Sequence, residues 1–211
     1  MDLNLWLSQQ YNLRGNNPII IPGVDRPNLT LWFKEWGFTK GAEIGTYMGL
    51  FAEVLCQSNP NLHLTCVDPW IAYKGYKDYS TQRSLNRGLV AAKNRLSNYN
   101  VSLIQEFSVD GAKHVPDGSL DFVYIDANHE LPYVIQDLYT WVPKVRKGGV
   151  ISGHDYLFGP LCPALQVVPA VQAYTMANRI DKWYVLGRER KPTTDARKLP
   201  KYARSWMWIN E

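Results

Sequence analysis

From Lys40 onward the apolar positions change their period in a regular rhythm. Short, mostly apolar stretches that read as strands appear at Ala42–Ile44, Leu62–Val67, Val101–Ile104, Leu120–Ile125 and Val150–Gly153. Between them, apolar residues recur at helical spacing. A helical stretch runs from Gly49 to Leu55 or Cys56, and a longer one from Thr81 to Leu96 carries Leu85, Leu89, Ala92 and Leu96 on one face. Residues 131–142 follow, with Pro132 tolerated in the first turn, and then Val168–Ala177. Lys182–Leu186 and Ser205–Ile209 read as two further strands, paired antiparallel at a sheet edge. Trp206 and Trp208 share one face of the second.

Upstream of Lys40 the pattern is less regular. Residues 2–12 suit a short helix with Leu3, Trp6 and Leu7 on one side, and Asn28 or Thr30 suits the cap of a helix through Trp36, ended by Gly37. Asn16-Asn17-Pro18 and Pro22-Gly23 read as loop. The expectation is a single α/β domain, with a helical extension over 1–39 and a Rossmann-like core over 40–211. Strands alternating with helices build a parallel sheet with right-handed crossovers. Ligands of such sheets bind beyond the carboxyl ends of the strands. Those ends carry Glu43-Ile44-Gly45, Asp68, Glu106 with Ser108, Asp126 with His129, and His154-Asp155.

Composition adds limits. The 211 residues suffice for one full core, and 45% hydrophobic with 20% charged residues is an ordered globular balance. No apolar run approaches a membrane span of ~18 residues. Met1-Asp2 places an acid where an export signal would carry a base, and three scattered cysteines form no disulfide framework or zinc spacing, so a cytoplasmic setting is expected. The net charge of +4 is local: residues 179–204 hold nine basic and three acidic residues, and the remainder is slightly acidic. A nucleic-acid-binding body is therefore not expected. The basic stretch Arg188–Lys201 reads as a solvated connection, or as a rim attracting an anionic substrate.

The strongest chemical signal is the loop Glu43-Ile44-Gly45-Thr46-Tyr47-Met48-Gly49 between strand and helix. Gly45 suits the tight turn and Gly49 suits close strand–helix packing. A dinucleotide loop needs a second glycine two residues after the first, so that backbone can approach the pyrophosphate; here that residue is Tyr47. An adenosyl ligand without phosphate makes no such demand. S-adenosylmethionine is favoured over NAD on this ground. Asp68, at the end of the next strand, suits the ribose hydroxyls, and Trp70 is a candidate cover for the adenine.

These motifs, with Val67-Asp68-Pro69-Trp70, Tyr124-Ile125-Asp126-x-x-His129 followed by Tyr133 and Asp137, and Gly148-Gly149-Val150-Ile151-Ser152-Gly153-His154-Asp155-Tyr156, resemble the class I S-adenosylmethionine-dependent methyltransferases. The nearest subgroup is the small O-methyltransferases of sugar and natural-product type. The resemblance implies a seven-stranded sheet with an antiparallel last strand and helices on both faces. It implies a donor site of Glu43, Gly45, Thr46, Tyr47, Gly49, Asp68, Trp70, Ser108 and Asp126, with Ser108 at the adenine edge.

At the reacting centre, the resemblance implies His129 as general base and Asp126 beside it. Relatives that use a metal add acidic ligands at the next strand end, here His154-Asp155. Asp126 and Asp155 fit such ligands. His154 stands where relatives more often carry an acid, so a mixed set would suit a softer transition metal better than Mg²⁺. The acceptor is expected to be a small molecule or sugar bearing a hydroxyl. Its pocket is expected from the N-terminal segment, the Tyr-rich loop Ile71–Ser80 and the loop Tyr156–Pro163. The rival readings are an NAD-dependent oxidoreductase and a non-catalytic or RNA-binding module using the basic stretch. The sequence leaves self-association into a homo-oligomer open.

Overall fold

Residues 120–125 show why a layered fold forms. In the computed structural model, which describes residues 1–73, 81–157, 165–187 and 203–211, Phe122 and Tyr124 enter one apolar cluster while Val123 and Ile125 enter another. Alternate strand positions face opposite sides, so the apolar run Phe122–Ile125 demands cover on both. The cover differs between faces. Leu3 and Leu7 of α1 (Leu3–Tyr11), Leu29, Trp32 and Phe33 of α2 (Arg26–Glu35) and Phe51 and Leu55 of α3 (Leu50–Ser58) pack on one. Val134, Leu138 and Trp141 of α6 (Leu131–Trp141) and Val168 and Val171 of α7 (Val167–Ala177) pack on the other.

The sheet has eight strands: β1 (Ile19–Ile21), β2 (Lys40–Ile44), β3 (His63–Val67), β4 (Val101–Ile104), β5 (Leu120–Ile125), β6 (Val145–Gly153), β7 (Trp183–Leu186) and β8 (Trp206–Ile209). Their order is β1-β7-β8-β6-β5-β2-β3-β4. All neighbours are parallel except β8, which runs antiparallel to both β6 and β7. Trp206 and Trp208 do share a face, with ring centroids 5.4 Å apart.

The expected seven strands become eight because Ile19–Ile21 pairs in parallel with β7, Ile20 opposite Val185. Three isoleucines between prolines are too short to signal a strand, and only the exposed edge of β7 makes them one. The 1–39 segment is thus part of the sheet as well as a helical cover. Helix α2 starts at Arg26, earlier than expected. The Asp25 N–H donates to Asn28 Oδ1 at 2.9 Å, and Pro27 fits a first turn that needs no N–H from it. Two helices complete the fold, α4 (Gln82–Leu96) and the single turn α5 (Ser108–Gly111). No helix among the described residues is long and apolar enough to cross a membrane. The loops expected at the acceptor side beyond Tyr73 and Leu157, with Cys162, and the basic stretch from Arg188 lie outside the described residues.

Candidate active site

The loop between β2 and α3 is built on positive φ angles. Gly45 (+94°) and Gly49 (+72°) adopt them freely, and Tyr47 (+46°) adopts one at a cost. The Gly45 N–H donates to Val67 O at 2.8 Å, tying the turn to β3. The Tyr47 N–H donates to Asp68 Oδ2 at 2.9 Å, and the Trp70 N–H donates to Asp68 Oδ1 at 2.8 Å. Asp68 therefore joins the two strand ends while each of its oxygens keeps a lone pair for a ribose hydroxyl. Burial pushes its carboxyl up, and the two backbone donors oppose that shift. Tyr47 is partly exposed in the position where a pyrophosphate would need bare backbone.

Trp70 is not an adenine cover. Its side chain is 1% exposed, packs with Leu85 and Ala92, and donates its indole N–H to Tyr47 O at 2.8 Å. It braces the glycine loop from beneath. Ser108 is likewise engaged inward: its hydroxyl donates to Asp137 Oδ1 and accepts from Trp141 Nε1 at 2.9 Å. The hydroxyl proton expected for the adenine edge is thus already committed to α6. The accessible aromatic there is Phe107, at 5.5 Å from the Tyr73 ring. It borders a cavity of about 530 Å³ with Pro69, Ile71, Gln105, Glu106 and His114, beyond the ends of β3 and β4.

Glu43, next to last in β2, is 3% exposed. Its Oε2 and the Thr46 hydroxyl are both buried, and Thr46 lies near enough to favour the carboxylate. Burial pushes the carboxyl up to about 8; nearby Thr46 and Arg26 draw it down, and Asp126 and Asp68 add to the rise. A cationic group placed beside Glu43 would favour its carboxylate form. The shift also sets a pH dependence. The folded state holds this proton more tightly than the unfolded chain, so stability falls as pH rises from ~4.3, the unperturbed value, towards 8. Glu43→Gln should melt at a higher temperature than the wild type at pH 8 and at nearly the same temperature at pH 5. Equal melting at both pH values would contradict the buried acid.

Four groups expected at the next two strand ends do come together. His129 Nε2 lies 2.9 Å from Asp155 Oδ2 and 3.6 Å from Asp126 Oδ1. His154 Nδ1 lies 3.4 Å from Asp155 Oδ2 and 3.9 Å from Asp126 Oδ1. Register explains the convergence: Ile125 pairs with Gly153, so the residues after each emerge side by side. Asp155 holds a left-handed φ of +54°, a conformation acids tolerate better than most residues. Burial would push its carboxyl up, but the two imidazoles outweigh burial and hold it well below the usual range. One oxygen from each of Asp126 and Asp155 and one nitrogen of His154 lie within 4.8 Å of one another, close enough to share a cation.

Sequence reading missed one member of this cluster. The Arg26 Nη1 donates to Asp126 Oδ2 at 3.1 Å, across 100 positions of the chain. Its guanidinium carbon lies 4.6 Å above the Phe51 ring. A lone arginine at the start of a helix carries no local sign of such a contact.

Comparison with known proteins shows the family and the fold. Residues 42–156 match the methyltransferase-domain family. An uncharacterised protein of Acanthamoeba polyphaga mimivirus is 31% identical over 134 residues, which cover 61% of this chain and 56% of that protein, so the chain spans little more than half of this relative. Solved structures share the fold at lower identity. The O-methyltransferase from Bacillus cereus in complex with SAH is 13% identical, covers 97% of this chain and 88% of its own, and has a TM-score of 0.59. TomG, the O-methyltransferase from Streptomyces achromogenes involved in tomaymycin synthesis, solved with SAM, is 14% identical over 99% and 96% of the two chains, with a TM-score of 0.59. The N-methyltransferase NodS from Bradyrhizobium japonicum is 14% identical over 88% and 94%, with a TM-score of 0.57. The family match takes in more than half of the chain, and within it the glycine loop, Asp68, Asp126, His129, His154 and Asp155; the chain belongs to the methyltransferase-domain family.

Proposed function

We propose that this protein transfers a methyl group from S-adenosylmethionine to a hydroxyl of a small molecule, of sugar or natural-product type, with His129 as the base. The observation that carries the reading is the placement of His129 against Asp155 and Asp126, one strand away from a glycine loop that begins at the buried Glu43. The donor's ammonium fits Glu43, its ribose fits Asp68, and its adenine fits the cavity beside Phe107. The acceptor oxygen attacks the methyl carbon as the carbon–sulfur bond breaks. The electron pair stays on sulfur, giving S-adenosylhomocysteine, and the acceptor's proton passes to His129. Asp155, held as a carboxylate, stabilises the imidazolium that results.

Asp126, His154 and Asp155 fit a divalent cation, and their mixed nitrogen and oxygen donors suit Mn²⁺ or a softer ion better than Mg²⁺. Such an ion would supply charge that lowers the pKa of an acceptor hydroxyl. The buried thiols Cys56 and Cys66 fit a reducing, cytoplasmic setting. Calorimetry tests the donor assignment. The wild type should bind S-adenosylmethionine and S-adenosylhomocysteine, and Asp68→Ala should bind both more than tenfold more weakly. A wild type with no affinity for either would refute the reading.

A further inference from the structure

We propose that Arg26, from the N-terminal segment outside the family match, binds the carboxylate of the methyl donor's amino-acid end. The inference rests on the S-adenosylmethionine reading above and names a residue for a donor group which that reading leaves without a partner. The amino-acid end of the donor carries an ammonium and a carboxylate. Around the glycine loop the strand ends supply Asp68, Asp126 and Asp155 beside the buried acid Glu43, a set that suits an ammonium and disfavours a carboxylate. A carboxylate placed there gains from a neighbouring cation.

Arg26 stands at that place. Its side chain is 34% exposed and rests on Phe51, in the first turn of the helix that the glycine loop opens. One of its N–H groups goes to Asp126 Oδ2. A guanidinium has five donors in a planar fork, so it can hold Asp126 and a second carboxylate together. Burial works against its charge, but the Tyr124 hydroxyl and the Asp126 carboxylate outweigh that effect. The backbone fixes the origin of the side chain, because Arg26 is the first residue of α2 and Pro27 follows it. The N-terminal segment therefore completes the donor site, and the pair with Asp126 links donor binding to the reacting centre.

The test compares two ligands that differ only in this carboxylate, S-adenosylmethionine and its decarboxylated form, by calorimetry. Arg26→Gln should weaken binding of S-adenosylmethionine at least tenfold and of the decarboxylated form less than twofold. Arg26→Lys, which keeps the charge but loses the fork, should fall between wild type and Arg26→Gln for S-adenosylmethionine only. Equal losses for both ligands would overturn the assignment while leaving the donor reading intact. So would a wild type that binds the two ligands equally. A wild type that binds neither overturns both. If Arg26→Gln fails to fold, the ratio of the two affinities in Arg26→Lys decides the matter.

Discussion

His129→Ala should lower methyl transfer by ~10²–10⁴-fold, the usual worth of a positioned base, while donor affinity stays within about twofold. The side chain sits between Asp155 and Asp126 and does not belong to the glycine loop. Removing it takes away the proton acceptor and leaves the donor's contacts in place. The loss should appear in kcat, because the base acts as charge develops on the acceptor oxygen. Single-turnover transfer of a labelled methyl group, measured beside calorimetric donor binding, checks both halves. Turnover near the wild-type rate would place the base elsewhere. A large loss of donor affinity would mean that the imidazole supports the donor site instead.

Gly45→Ala should remove donor binding and lower the melting temperature by roughly 5–10 °C. Two costs coincide at this position. The φ of +94° is one that residues with a Cβ rarely adopt. The added carbon would also land on the Asp126 carbonyl oxygen and within 2.7 Å of Ala127 Cα. Both obstacles are backbone, so neither can swing aside. Strain of ~1–3 kcal/mol corresponds to several degrees in a domain of this size. Relief would push β2 away from β5, carrying Glu43 from the donor and Asp126 from His129. Gly118→Ala is the control. Its φ is +65°, but no atom lies within 4 Å of the added carbon. It should melt only a few degrees lower and bind the donor normally. If Gly45→Ala behaved like Gly118→Ala, the tight approach of the loop to Asp126 would be wrong.

The two substitutions divide the site. Gly45 governs whether the donor binds, and His129 governs whether the methyl group leaves it. Asp126 belongs to both regions. Its backbone limits the glycine turn, one carboxylate oxygen faces the histidines, and the other accepts from Arg26.

Local periodicity carried the alternation of strands and helices from Lys40, and with it the α/β class and the sheet edge where a ligand belongs. The glycine loop, Asp68 and the triplet spacing of Asp126 and His129 were legible for the same reason: each is a short-range feature, set by a turn or by the residue after a strand. The contacts that decide the chemistry are long-range. Nothing near Trp70 in the sequence shows that its ring turns inward under the loop, and nothing near Ser108 shows that its hydroxyl goes to Asp137. Ile19–Ile21 becomes a strand only because β7 offers an unpaired edge. Arg26 reaches Asp126 only because α2 packs over the sheet face beside β2 and β5. Periodicity reports which side of an element is apolar. Strand order and register, which follow from packing all the elements at once, determine which polar groups meet above them.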